Sequence, residues 1–239
     1  MTLPTGAWRR DWIHRRGGAR DASVAVRYVQ TPSVFADLRT PELAIGAASF
    51  AELDDDQLAA LARQDGFAGV ATIDGDRVTW HHEIDFQPAS AEVDVGRIEP
   101  IAADDMFEHA LDGAYVERWS RLAPDTGPYV AARAVHAGTT TAILAVAGAH
   151  FVYARARPTP LPAAASLGAL IAHAPRAQVL AYLDCEISYG ATPGWRIERS
   201  TLPWRVGARA AVDDVAWQVV ERTCTPAELA AMLGPRHDG

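Results

Sequence analysis

The stretch "ATIDGDRVTWHHEIDFQP", residues 71–88, has the pattern of a β-hairpin. Asp74-Gly75 separates two runs that are rich in apolar and β-branched residues, and this dipeptide is a strong local signal for a tight two-residue turn. The run after the turn predicts a strand, in which successive side chains point to opposite faces of the sheet. The chain is therefore expected to contain antiparallel β structure at this point.

Similar turn signals recur along the chain, at Asp112-Gly113, at Ala137-Gly138 and near Gly148. Each lies between two runs of apolar residues, so four successive hairpins are predicted, as in an antiparallel meander. Further strands are predicted at residues 23–30, 34–39, 179–189, 195–201 and 215–222.

Three helices are predicted among these strands. Ser49 and Glu52 form a capping-box pattern that predicts a helix over residues 52–63. Thr225 has the character of an N-cap for a helix over Pro226–Leu233. A third, short helix is predicted within residues 162–175.

About ten strands with few helices indicate a closed barrel or a sandwich. The meander favours the barrel, because closure removes the exposed edges that a long sheet would leave unpaired. The expected fold is mainly β: one antiparallel barrel domain over residues 1–239, with a few peripheral helices. A barrel of roughly eight to ten strands is wide enough to enclose one small ligand.

Composition excludes several classes of function. The chain has no lysine, so it lacks a Schiff-base or P-loop lysine, and its net charge of −8 disfavours nucleic acid and anionic membranes as partners. The longest apolar run, residues 142–152, is too short to span a bilayer. A cytoplasmic location is expected, and a homodimer is possible.

Cys185 and Cys224 match no metal or redox spacing, which predicts two free thiols.

The segment "GAWRRDWI" contains Gly6 and Trp8 and resembles the Gly-x-Trp start of lipocalin and other calycin barrels. The segments "YVQTPSVFADLR", "TWHHEIDFQP", "YVERWSR" and "IERSTLPWR" are similar to a group of largely uncharacterised bacterial lipocalin-like proteins. The resemblance implies a calycin-type barrel with an internal cavity, as in calycins that hold small hydrophobic molecules. It implies no haem motif and no defined reaction.

His82 is the histidine that the strand pattern singles out, because it lies among large apolar residues and titrates near neutrality. In a regular strand the inward face holds Trp80, His82, Ile84 and Phe86, and the outward face holds His81, Glu83 and Asp85. His82 is therefore expected to point into the barrel near Glu117 and Arg39. The outward trio lacks a second histidine, and no metal site is predicted.

Other strands also combine aromatic and charged residues on one face, which is the expected lining of a small-molecule pocket. The predicted ligand-binding residues are Asp37, Arg39, Trp80, His82, Tyr115, Glu117, Trp119, Glu186 and Arg205. The structural alternative is that they are buried arginine–carboxylate pairs, such as Arg39 with Glu117, that only neutralise each other.

Three functions remain open at this point. The first is binding of a small apolar or amphipathic molecule inside the barrel. The second is a cofactor-free isomerase, cyclase, lyase or hydrolase, in which His82 or Glu117 is the catalytic base and Arg39 or Tyr115 stabilises negative charge. The third is a haem protein with His82 or another barrel-facing histidine as axial ligand. Binding ranks first, and no cofactor is expected, because the sequence contains no nucleophile or metal signature.

Overall fold

The computed structural model describes residues 2–43, 45–122, 127–213 and 215–233. The strands are β1 Gly6–Arg15, β2 Arg20–Asp21, β3 Val24–Gln30, β4 Val34–Pro41, β5 Asp65–Asp74, β6 Arg77–Asp85, β7 Asp94–Ala102, β8 Asp105–Ala110, β9 Tyr115–Arg121, β10 Tyr129–His136, β11 Thr139–Ala147, β12 His150–Arg155, β13 Glu186–Ala191, β14 Arg196–Ser200 and β15 Gln218–Arg222. The α-helices are α1 Asp55–Leu61, α2 Leu167–Ile171, α3 Arg176–Leu183 and α4 Pro226–Leu233, and 3₁₀ turns cover Phe50–Glu52 and Pro203–Arg205.

The first half of the chain forms a closed antiparallel barrel of eight strands. These strands are β1 and β3 to β9, each paired with its neighbour, and β1 also pairs with β9. The short strand β2 extends the sheet beside the end of β1. The predicted mainly β, antiparallel barrel is confirmed.

The later strands form a second sheet of six strands, in the order β14-β13-β12-β11-β10-β15. The sequence pattern indicated one barrel for all strands, and the structure instead divides them between a barrel and an open sheet. The reason is long-range pairing. Because β1 pairs with β9 and closes the barrel, the barrel has no free strand edge with which β10 could pair.

All four predicted hairpin turns are present. Gly75, Gly113, Gly138 and Gly148 have positive φ angles, the backbone conformation for which glycine is favoured. Ala137 also has a positive φ, of 49°, as a two-residue type I′ turn requires of both central residues.

The second sheet is buried on both faces. One face packs against the outer wall of the barrel, where Ile143 and Val152 share a core with Leu38 and Ile84. The opposite face is covered by residues from the C-terminal part of the chain, including Trp195, Val212 and Leu229. Burial on both faces explains why the run at residues 142–152 is almost continuously apolar.

The helices differ in part from the predicted ones. The predicted strand at residues 179–189 was wrong, because helix α3 occupies its first half and β13 its second. Val179, Tyr182 and Leu183 are buried at the i, i+3, i+4 spacing of a helix that packs on the core. Helix α1 is capped by Asp54, whose carboxylate accepts from the backbone N–H of Gln57, and not by Ser49.

The remaining local predictions hold. The helix at Pro226–Leu233 is present, and α2 lies within the predicted residues 162–175. Both cysteines are free, with Cys185 buried and Cys224 half-buried. Over the ranges that the structure covers, the helices are all too short or too polar to cross a membrane.

Candidate functional site

The barrel encloses a cavity of about 290 Å³. Its walls mix aromatic rings, aliphatic groups and charged side chains. The lining residues are Pro4, Ile13, Arg15, Tyr28, Asp37, Arg39, Phe67, Trp80, Asp94, Ile98, Met106, Glu108, Tyr115, Glu117 and Trp119. Six of the nine residues predicted to bind ligand are in this wall: Asp37, Arg39, Trp80, Tyr115, Glu117 and Trp119.

Strand alternation places these residues inside. In β4, Asp37 and Arg39 line the cavity. The alternate residues Ala36 and Leu38 point outward and pack against the second sheet. In β9, Tyr115, Glu117 and Trp119 line the cavity with the same period of two.

Asp37 and Arg39 form an ion pair in the cavity wall. Arg39 Nε lies 2.8 Å from Asp37 Oδ1, and Nη2 lies 3.4 Å from Oδ2. Burial raises the pKa of Asp37 to about 6, although the Arg39 charge opposes this shift. The Arg39 guanidinium also lies 4.9 Å from the centroid of the Phe67 ring. The pairing of Arg39 is thus with Asp37 and not with Glu117.

Glu117 is paired with Arg10 of β1. Arg10 Nη1 donates to Glu117 Oε1 at 2.5 Å, and both side chains are almost fully buried. The other carboxylate oxygen, Oε2, is buried and has no hydrogen-bond partner among the described residues. The indole Nε1 of Trp119, two residues further along β9, is also buried and has no hydrogen-bond partner among the described residues. An acceptor and a donor in the cavity wall are therefore unsatisfied by the described part of the protein.

Glu108 faces Glu117 directly across the β8–β9 pair. The Tyr115 hydroxyl donates to Glu108 Oε1 at 3.0 Å. Burial, followed by repulsion from Glu117, raises the pKa of Glu108 to about 8. Sequence reasoning missed this residue, although the signal was present. Counting outward from the predicted Asp112-Gly113 turn places Glu108 opposite Glu117.

A β-bulge interrupts β6 at His82. Gly69 of β5 pairs with His82 and Ala68 pairs with Ile84, so Glu83 is the extra residue. A side chain at Gly69 would collide with the backbone carbonyl of His81, which is why glycine is required there. Beyond the bulge the alternation is inverted: Ile84 and Phe86 belong to the core outside the barrel, whereas Trp80 belongs to the core inside it. The predicted common face of these residues was wrong.

His82 does not line the cavity but lies beside it. Its ring stacks on Phe67 with a centroid distance of 4.1 Å. Its Nδ1 lies 2.6 Å from Asp85 Oδ1 and its Nε2 lies 3.0 Å from Asp94 Oδ2. Burial opposes the charged ring, but hydrogen bonds to Asp85 and Asp94 outweigh burial and raise the pKa of His82 to about 9.

These contacts differ from the expected position of His82 near Glu117 and Arg39. Glu117 belongs to β9, three strands away from β6 around the barrel, and Arg39 contacts the same Phe67 ring on which His82 stacks. Because both ring nitrogens already bond to carboxylates, a haem iron would have to displace one of them. His81, in contrast, is exposed as predicted.

Glu186 and Arg205 lie outside the barrel altogether. Glu186 begins β13 of the second sheet, and Arg205 Nε donates to its Oε1 at 3.0 Å. Both residues border a separate groove that also contains Arg155 and Trp204. Glu186 was predicted in the barrel lining because its strand was assigned to the barrel. Arg205 was predicted there because a bend at Pro203 was expected to lie at the barrel mouth.

Several cavity residues were not predicted from the sequence. They are Pro4, Ile13, Arg15, Tyr28, Phe67, Asp94, Ile98, Met106 and Glu108. In the described part of the chain, no group of three or more His, Cys, Asp or Glu side chains lies close enough together to hold a metal ion.

The architecture defines a class of structure: a closed eight-stranded antiparallel barrel packed against a second sheet. It is similar to the crystal structure of an uncharacterised protein from Saccharomyces cerevisiae, with a TM-score of 0.54 and 10% identity, over 91% of this chain and 98% of that one. At this identity the similarity shows the fold alone. An uncharacterised protein from Bacteroides eggerthii is 9% identical over 49% of this chain and 98% of its own, with a TM-score of 0.30, which supports no argument. No family model and no curated protein matches the chain.

Proposed function

We propose that this protein binds a small amphipathic organic molecule inside its barrel. The observation that supports the proposal is the pair of unsatisfied polar atoms in the cavity wall, Glu117 Oε2 and Trp119 Nε1. A buried polar group without a partner costs roughly 1–3 kcal/mol, so a ligand that supplies a donor and an acceptor would recover part of that cost. The aromatic and aliphatic lining suits the apolar body of the same molecule.

We also infer that the barrel is lipocalin-like. The Gly6-x-Trp8 segment opens β1, and the Trp8 ring is buried with the Arg121 guanidinium 4.3 Å from its centroid. The closed antiparallel barrel supports this inference, and the second sheet is an addition to the expected form.

Binding can be tested with N-phenyl-1-naphthylamine, a neutral fluorophore that has an apolar body and one N–H donor. Its emission should rise and shift to the blue on addition of the protein. Ile98→Phe would fill the cavity, and Ile101→Phe makes the same change on the exposed face of the same strand. We expect the first variant to lose binding at least tenfold and the second to bind as the wild type does.

A folded Ile98→Phe variant that binds the dye as the wild type does would place the dye outside the barrel and contradict the proposal. If Ile98→Phe fails to fold, quenching of Trp80 and Trp119 gives an independent readout. A dye that binds in the cavity should quench the tryptophan fluorescence of Trp80→Phe and of Trp119→Phe less than that of the wild type. Mass spectrometry of the native protein would also reveal any molecule that co-purifies with it.

A second candidate function is acid–base catalysis on the bound molecule. Two carboxyl groups in different environments favour it: Glu108, with its pKa raised to about 8, and Glu117, paired with Arg10. One group could donate a proton while the other accepts one. In a screen for turnover of molecules that bind, Glu108→Gln should abolish turnover and leave binding measurable.

A further inference from the structure

The ionisable groups in and around the cavity can be assigned to pairs, and one carboxyl group is left over. Arg10 pairs with Glu117, and Arg39 pairs with Asp37. His82 pairs with Asp85 and Asp94. Glu108 is buried and forms no ion pair with any residue in the described ranges. Its side-chain hydrogen bond comes from the neutral hydroxyl of Tyr115.

Glu108 and Glu117 repel each other when both are ionised. Like charges directly opposite on antiparallel strands destabilise a sheet, and burial strengthens the repulsion. The second oxygen of Glu117 is unpartnered in the same wall. A positive group between these two carboxylates would remove the repulsion and satisfy that oxygen.

We propose that the cavity binds an organic ammonium ion, whose N–H groups donate to the carboxylates of Glu108 and Glu117. This inference rests on the proposed function and names the chemical class of its ligand. Trp80 and Trp119 line the same cavity, and aromatic faces attract cations. Ile98 and Met106 provide an apolar wall for the organic part of the ligand.

An anionic ligand fits this cavity less well. Arg10 and Arg39 are already bonded to carboxylates, so an anion would have to break an existing ion pair to reach them. Arg15, the remaining cation of the lining, is largely exposed and lies 3.8 Å from Asp21 at the rim.

Binding of an ammonium ion should be coupled to the loss of a proton. The pKa of Glu108 is raised to about 8 by burial and then by Glu117, so the carboxyl group is mostly protonated at pH 7 and must ionise to pair with the ligand. The charged and titratable groups that surround it are Glu117 and Tyr115 of β9, Asp94 of β7, Asp37 and Arg39 of β4, Tyr28 of β3, and Arg10 and Arg15 of β1. Affinity for an ammonium ion should therefore rise between pH 6 and pH 8.

The test uses three probes that share one ring system and differ in charge. Tryptamine is cationic, indole-3-ethanol is neutral and indole-3-acetate is anionic at pH 7. We expect isothermal titration calorimetry to show tryptamine binding at least tenfold more tightly than either of the others. The heat of tryptamine binding should depend on the buffer, as release of a proton requires.

Glu108→Gln is the decisive variant, because glutamine keeps the shape and can still accept from Tyr115. It should lower tryptamine affinity about tenfold or more, leave indole-3-ethanol affinity unchanged, and remove the buffer dependence. Glu99→Gln, on the exposed face of β7, is the matched control and should change none of these values.

Equal affinity for all three probes, or tightest binding of indole-3-acetate, would overturn the ammonium proposal. So would a Glu108→Gln variant that binds tryptamine like the wild type. If N-phenyl-1-naphthylamine still enters the cavity in those cases, binding in the barrel stands and only the ligand class fails. If neither the dye nor any indole binds, both proposals fail together.

Discussion

Glu108 and Glu117 lie directly opposite each other on β8 and β9, and both side chains are buried in the barrel wall. Such a pair does not stabilise the fold, because ionising both groups would place two buried like charges opposite each other. Arg10 compensates one of them, and Tyr115 gives the other a single neutral hydrogen bond. The pair is therefore the feature of the barrel on which the proposal of a cationic ligand rests.

Glu108→Gln should stabilise the protein in a pH-dependent manner. The folded-state pKa of Glu108 is about 8 and its ordinary value is 4.5, so its contribution to stability is fully present below about pH 4.5 and is lost as pH rises through 8. The advantage of the variant should grow between these pH values and then level off. Urea unfolding at several pH values measures this, with Glu99→Gln as control. An unchanged difference from pH 5 to 8 would contradict the buried position of Glu108.

His82→Gln should alter stability in a different pH window. The folded-state pKa of His82 is about 9, above its ordinary value of 6.5, so its contribution is fully present below pH 6.5 and lost as pH rises through 9. The variant should be less stable than the wild type at pH 6 and should approach it at pH 10. Exposed His81 gives the control, and His81→Gln should leave the curve unchanged. If the free energy of unfolding changed with pH in the same way for wild type and His82→Gln, Asp85 and Asp94 would not stabilise the protonated His82 ring.

Trp119→Phe and Trp80→Phe make the same change in one cavity with different expected costs. The indole N–H of Trp80 donates to the Tyr28 hydroxyl at 3.0 Å, and its loss should cost about 1 kcal/mol of stability. The indole N–H of Trp119 is unpartnered within the described ranges, so its removal breaks no hydrogen bond. Both variants also lose buried ring volume, so Trp80→Phe should lose about 1 kcal/mol more stability than Trp119→Phe. Thermal unfolding without ligand compares them. A larger loss in Trp119→Phe would mean that this N–H is satisfied in the free protein.

Gly69→Ala should destabilise the barrel by about 1–3 kcal/mol, because the new methyl group would overlap the carbonyl oxygen of His81 at the bulge. Gly75→Ala is a useful comparison, since Gly75 has a positive φ but open space around it. Because the bulge orients His82 toward Asp94, Gly69→Ala should also shift the His82 titration seen by NMR, whereas Gly75→Ala should not. A stable Gly69→Ala variant with an unchanged His82 titration would argue against the bulge.

Arg205→Ala should lower stability by roughly 3 kcal/mol, because it leaves the buried Glu186 without its ion-pair partner. It should not change binding in the barrel cavity, since Glu186 belongs to the second sheet and Arg205 to the 3₁₀ turn that follows β14, and neither lines the cavity. Chemical unfolding and dye titration of the same sample separate the two effects. Weakened dye binding in a folded variant would show that the second groove, and not the barrel, is occupied.

Short-range patterns in the sequence were sufficient for much of the barrel and part of its site. Gly75 and Gly113 adopt positive φ angles, which glycine favours. Asp74-Gly75 and Asp112-Gly113 therefore predict tight turns regardless of which other strands the flanking segments pair with. Alternation along β4 and β9 then places Asp37, Arg39, Tyr115, Glu117 and Trp119 on the inner wall, because a strand presents every second side chain to one face.

Other features depended on contacts between distant parts of the chain. Pairing of β1 with β9 closes the barrel after eight strands, and that closure is what excludes Glu186 and Arg205 from the cavity. The close approach of β5 and β6 at Gly69 creates the bulge, which turns Ile84 outward and sets His82 against Asp94. The identity of the partner of each buried charge follows from these pairings. A local pattern specifies which face a side chain takes on its own strand, but the groups that it meets are set by strands far away in the sequence.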